Sequence, residues 1–214
     1  MPVAFRNLCV ESPRRSLAAI SLVGFAPTLS VLMTLLVIDG ELASQAFFIL
    51  CKAWILFVPT YWFLRLEGNP LSWSFSDKNG IFEGVATGLA MSAVILLVWI
   101  TLGDSIDTEP MVEQLQNTGL NGIEVYVAGM FYWIFLNSLL EEYVFRWFIT
   151  IKGVELTGSE LGGIVVSALM FTLHHALALY LFGFEWWQTG IACFGLISAA
   201  AIWSWLYIRH RSIW

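Results

Sequence analysis

Apolar residues in this chain gather into blocks that run on too far to be the single apolar face of a soluble helix. Six blocks stand out, at about 17–38, 45–64, 81–102, 125–149, 164–181 and 189–208. A helix needs roughly 20 apolar residues to cross about 30 Å of hydrocarbon, and the blocks have that length. The first follows Arg14 and Arg15 and continues with no A-x-A-like cleavage site, so it reads as a span rather than a signal peptide. Pro27 and Pro59 fall inside the first two blocks, where neighbouring helices can satisfy the carbonyls they free. The pattern predicts an all-α, polytopic membrane helix bundle of about six transmembrane helices, with residues 1–214 forming one transmembrane domain.

The polar stretches between the blocks alternate in charge. Arg6, Arg14 and Arg15 precede the first block, Arg65 and Lys78 separate the second from the third, Lys152 separates the fourth from the fifth, and Arg209 and Arg211 follow the sixth. The other loops hold no Lys or Arg, only Asp39 and Glu41, then Asp104, Asp107, Glu109, Glu113 and Glu124, then Glu185. Lys and Arg mark the cytoplasmic side, so both termini are expected to be cytoplasmic. The acidic loop at about 103–124 reads as a surface excursion with a short interfacial helix.

Composition points the same way. Hydrophobic residues make up 58% and charged residues 12%, with mean hydropathy +0.76, against about 45–50% and about 25% in soluble domains. A formal charge of -6 leaves no clustered basic surface for nucleic acid. Cys9, Cys51 and Cys193 have neither CxxC spacing nor proximity in sequence, so no disulfide framework or zinc knuckle is expected.

Ionisable groups inside the blocks carry the chemistry, because a charge at a helix centre costs about 2.5–3.5 kcal/mol on insertion scales. Lys52 is alone in the second block and reads as a lysine that snorkels or pairs with a carboxylate of another helix. Glu83 reads as an end-of-helix residue. In the fourth block, Glu141 and Glu142 are adjacent and Arg146 lies four residues after Glu142, on the same helical face. Ser138, Glu142 and Arg146 form one stripe, and Asn137, Glu141 and Phe145 the next, about 100° around. A Glu142–Arg146 pair leaves Glu141 with no sequence-local partner, free for general acid–base work. The alternative is a helix-packing ion pair beside one neutral glutamate.

The fifth block adds Phe171-Thr172-Leu173-His174-His175. An intramembrane histidine is either a hydrogen-bonded packing residue or a partner that shares a water or a metal with a carboxylate. Glu141 lies about 15 Å from the cytoplasmic end of its span, and His175 about 17 Å, at ~1.5 Å per residue. Consecutive antiparallel helices therefore bring them level. The two histidines point about 100° apart, so one of them at most is expected to face Glu141 squarely, and His174 to point elsewhere. His210, between Arg209 and Arg211, reads as solvent-facing.

Glu141-Glu142-Tyr143-Val144-Phe145-Arg146 followed by Phe171-x-x-x-His175 resembles the paired E-E-x-x-x-R and F-x-x-x-H motifs of the CAAX protease and bacteriocin-processing (CPBP) family. The resemblance covers about residues 126–214. It implies an intramembrane endopeptidase acting on a lipidated or membrane-tethered substrate such as a prenylated protein, in a bacterial cytoplasmic membrane. Glu141 resembles the glutamate that activates water and His175 the histidine that assists it. Glu142 and Arg146 resemble the residues that shape the site and balance its charge. The resemblance implies a metal-free mechanism without a cofactor; a divalent metal such as zinc at Glu141 and His175 is the alternative. The family has a further helix with an H-x-x-x-N-like motif, and residues 206–214 resemble the stretch just before it. The chain is therefore expected to be either a fragment or a short member lacking that group. Two other functions compete: a non-catalytic membrane protein of the same fold serving binding, immunity or assembly, and a small proton-coupled transporter.

Overall fold

Many large apolar side chains face outward in this protein, and several polar ones are buried. The computed structural model describes residues 12–68, 78–117 and 122–212. Within them Arg146, Thr150, Lys152, Ser167 and Ser204 are buried, while Leu42, Phe82, Ile95 and Trp186 are among many large apolar side chains left outside. Water would penalise that arrangement on both counts, and hydrocarbon rewards it.

Six helices are long and apolar enough to cross a membrane: α1 (Pro13–Val37), α2 (Leu42–Leu66), α3 (Asn79–Ser105), α5 (Ile123–Thr157), α6 (Glu160–Leu181) and α7 (Trp186–His210). A short helix α4 (Glu109–Asn117) sits in the acidic loop, as the sequence predicts. The described residues contain no strand. Arg6 and Cys9 lie outside the described residues.

The fourth span differs from its expected extent. The sequence ends it near residue 149, whereas α5 runs on to Thr157. Lys152, which looks like a loop charge, is instead 1% exposed and paired with Glu67, just past the end of α2, and Glu155 one turn on. Ser16 of α1 donates to Glu155 at 2.9 Å. Neutralised in this way, the charge can stay inside the bundle and the helix need not end before it.

α5 is also not regular. Ile123–Phe131 is α-helical, Tyr132–Asn137 π-helical, Ser138–Glu141 α-helical again, and Glu142–Ile149 π-helical. Side-chain hydroxyls occupy carbonyls along the wide turns. Ser138 donates to the Trp133 carbonyl at 3.1 Å, and Thr150 to the Phe145 carbonyl at 2.8 Å. Ser167 of α6 donates to that same Phe145 carbonyl at 2.7 Å. Ser204 of α7 completes the knot, 3.3 Å from both Thr150 and Ser167.

α5 and α6 form a tight hairpin. Gly158 ends α5 with φ +72°, the left-handed conformation that glycine adopts freely. Ser159 then caps α6 by accepting from the Gly162 amide at 3.0 Å. Beyond the turn the helices touch through Gly153 and Gly163: a Cβ at Gly163 would lie 2.7 Å from the Thr150 carbonyl oxygen. The apolar core lies around this hairpin, from Ile20 and Val23 of α1 and Ile55 of α2 to Val144, Phe145, Phe148, Phe171 and Ala200. α1 is interrupted at Phe25, two residues before Pro27, and Trp54 of α2 donates to the Leu22 carbonyl there at 2.8 Å.

α3 is peripheral and contributes nothing to that core. Glu83 near its start pairs with Arg209 at 3.1 Å and with His210 at 3.2 Å on α7. His210 is therefore not the solvent-facing residue the sequence suggests. Its side chain is 10% exposed because Glu83 draws it against α3.

Candidate active site

The hairpin sets the site. Glu141 and His175 each lie 17 residues from Gly158, so antiparallel helices bring them to one depth. Glu141, His174 and His175 each offer a ligand atom, and the three atoms lie within 4.8 Å of one another. The expectation that His174 points elsewhere fails. Neighbours separated by about 100° around a helix straddle the direction of α5, and each imidazole is long enough to turn in. The two rings sit 4.0 Å apart, centroid to centroid, and His174 stacks on Phe145 at 5.6 Å.

His175 is oriented from behind. Its Nδ1 is 2.9 Å from the Phe171 carbonyl. A carbonyl only accepts, so Nδ1 carries a proton, and in the neutral ring Nε2 keeps its lone pair. The Nδ1 of His174 is buried without a hydrogen bond.

Glu141 is held on one side only. Its Oε1 accepts from Asn137 Nδ2 at 2.7 Å, and no other hydrogen bond reaches the carboxylate among the described residues. Asn137 Oδ1 in turn accepts from Lys52 Nζ of α2 at 2.5 Å. Lys52 also lies over the rings of Phe48, at 5.2 Å, and Trp133, at 6.0 Å. The sequence reading placed Asn137 on the Glu141 stripe but gave it no role, and gave Lys52 no named partner. Spacing within α5 could have flagged Asn137. Nothing in the sequence says that α2 would bring Lys52 to it.

Glu142 and Arg146 pair as the spacing predicts, with Nε 3.3 Å from Oε1. A turn closed i to i+5 holds between four and five residues, which stacks this pair closely. Arg146 is wholly buried, its guanidinium 4.5 Å from the Phe171 ring centre and 5.2 Å from that of Trp203. None of its three nitrogens makes a hydrogen bond. Around the site Lys52 and Arg146 thus accompany Glu141 and Glu142, and the motif residues divide into a converging trio and a packed pair.

Spacing bears on what the trio can hold. Ligands around a tetrahedral zinc ion at ~2.05 Å sit ~3.3 Å apart, whereas partners around one water at ~2.8 Å sit ~4.6 Å apart. Three ligand atoms all within 4.8 Å of one another are close enough to surround one water or one divalent metal ion.

Residues 123–214 match the family described as type II CAAX prenyl endopeptidase Rce1-like. This segment is similar to the CAAX protease family. The match takes in α5, α6 and α7, and therefore Glu141, Glu142, Arg146, His174 and His175. Lys52 lies outside the matched residues, on a helix that they do not include. No curated protein and no solved structure matches the chain significantly.

Proposed function

We propose that the protein is an intramembrane endopeptidase of the CAAX protease type, using a water activated by Glu141 and His175. The observation that carries this reading is the convergence of Glu141, His174 and His175 within 4.8 Å, deep in a helix bundle whose other charges are paired or screened. Proximity of a carboxylate and an imidazole lone pair suits general-base chemistry, which needs a base within about 2.6–3.2 Å of the proton or one water away.

In this mechanism Glu141 takes a proton from the water as its oxygen adds to the carbonyl carbon of the scissile bond. His175 Nε2 accepts a hydrogen bond from the same water and holds it in line. The tetrahedral intermediate then collapses, the C–N bond breaks, and Glu141 returns its proton to the departing amine. Glu142 and Arg146 carry no proton; they keep α5 packed and the interior neutral. The substrate is a lipidated or membrane-tethered peptide such as a prenylated CAAX chain, and both termini of the enzyme face the cytoplasm.

The test is cleavage of a farnesylated CAAX peptide by the purified chain in lipid nanodiscs, read by mass spectrometry, with Glu141→Gln as the control. Cleavage that vanishes in Glu141→Gln and survives 1,10-phenanthroline supports the reading. Equal product from wild type and Glu141→Gln, or none from either, overturns it.

A further inference from the structure

A cation in mid-membrane without a carboxylate in contact calls for an explanation. Lys52 lies 11 residues inside α2 from Glu41, or about 16 Å at ~1.5 Å per residue. No carboxylate ion pair to it is found among the described residues, and its one hydrogen bond goes to Asn137 Oδ1. The other two cations buried beside α5 do have acidic partners, Arg146 with Glu142 and Lys152 with Glu67 and Glu155. Glu141 is left as the acidic group without a cation of its own. The amide of Asn137 stands between them.

The chemistry of that amide makes the link directional. An ammonium has only donors, so Lys52 forces Asn137 to present Oδ1 to it. Nδ2 must then face Glu141, where it donates at 2.7 Å. An amide turned the other way would offer Glu141 an oxygen, which favours the carboxylic acid and not the carboxylate. One oxygen of Glu141 is thereby fixed, and the carboxylate so held converges with the two histidines.

We infer that Lys52, acting through Asn137, is a positioning residue that fixes the orientation of the Glu141 carboxylate toward His174 and His175. This rests on the endopeptidase reading for its effect on rate, but not for its effect on the carboxylate itself. Lys52 acts on Glu141 at one remove; it selects which face of an amide the carboxylate meets. A displacement of about 1 Å at a reacting group can cost about 10²-fold in rate. Lys52→Met is therefore expected to lower kcat by about 10²-fold while KM stays within about threefold, since an effect confined to the transition state leaves binding alone. Lys52→Arg restores most of kcat by keeping a donor against Asn137 Oδ1. Asn137→Leu matches Lys52→Met, and the double variant is no worse than either, because residues acting as one unit are non-additive.

Two measurements decide it. The first is peptide cleavage in nanodiscs across these four variants. Additive losses in the double variant, a loss confined to KM, or no rescue by Lys52→Arg overturns the inference while leaving Glu141 as the base. The second needs no turnover: infrared difference spectra of the intact protein, with the Glu141 carboxylate band assigned by its loss in Glu141→Gln. That band is expected to shift in Lys52→Met and in Asn137→Leu and to return in Lys52→Arg. A band that ignores Lys52 overturns the inference. If wild type cleaves nothing, the endopeptidase reading falls, and the infrared spectra still settle whether Lys52 orients Glu141.

Discussion

Replacing Gly163 with alanine tests whether the site depends on the close approach of α5 and α6. The added carbon would lie 2.7 Å from the Thr150 carbonyl oxygen, 2.9 Å from the Val154 nitrogen and 2.4 Å from Val154 Cγ2, where ordinary contact begins at 3.4 Å. Two of the three obstacles are backbone, so no side-chain rotation relieves them. The helices must part by roughly 0.7 Å, and overpacking of that kind costs about 1–3 kcal/mol. At about 2–4 °C per kcal/mol for a chain of this size, the melting temperature falls by about 2–12 °C. The assay is thermal unfolding in detergent with a thiol dye that reads buried Cys51 as it becomes exposed. His175 lies 12 residues beyond Gly163, and Glu141 the same number before Gly153. A splay at the glycines therefore carries through to the site, and kcat is expected to fall by about 10²-fold. Gly84→Ala on α3 is the control, since a Cβ there meets nothing within 4 Å; it should be neutral or raise stability by about 0.5–1 kcal/mol. If Gly163→Ala melts with wild type, or no earlier than Gly84→Ala, the close-approach argument is wrong.

Arg146→Ala strands Glu142. A fully buried partner would cost about 3–5 kcal/mol, but the Glu142 side chain is 29% exposed, so a loss of about 2–3 kcal/mol is expected in the same melting assay, and an unchanged curve would deny the pairing. His175→Ala should abolish cleavage with the fold intact, and adding Glu141→Gln should make it little worse; His174→Ala should leave measurable turnover, and the opposite ranking would reassign the assisting histidine. In a background free of native cysteines, an impermeant thiol reagent applied to intact cells should label Cys at position 109 and spare position 211; the reverse pattern would invert the proposed orientation.

Much of the fold is legible in the sequence because hydrocarbon imposes a length on every crossing, and the apolar blocks carry that length. The exception is α5, where Lys152 reads as a boundary. Glu155 is a local partner, but Glu67, just past the end of α2, also reaches Lys152, and a partner distant in sequence leaves no local mark. The site divides the same way. Glu142–Arg146 follows from spacing on one helix, and the level of Glu141 and His175 follows from counting along two consecutive helices. His174 is missed because angular separation says where a Cβ points, not where a ring ends. Lys52 is missed because its meeting with Asn137 depends on how α2 leans on α5, which no periodicity encodes.

Gly158 makes the α5–α6 hairpin a ruler with its zero at the turn. Glu141 and His175 are read off at the same mark on its two arms, so residue count matters as much as residue identity. Removing one residue between Gly163 and His175 would swing the imidazole by about 100° and shift it by about 1.5 Å, with every side chain of the trio still present. Outward positions on α3 can change freely among apolar types without touching the chemistry. Between Glu141 and His175, a substitution alters one contact, whereas an insertion or deletion takes the two arms out of step.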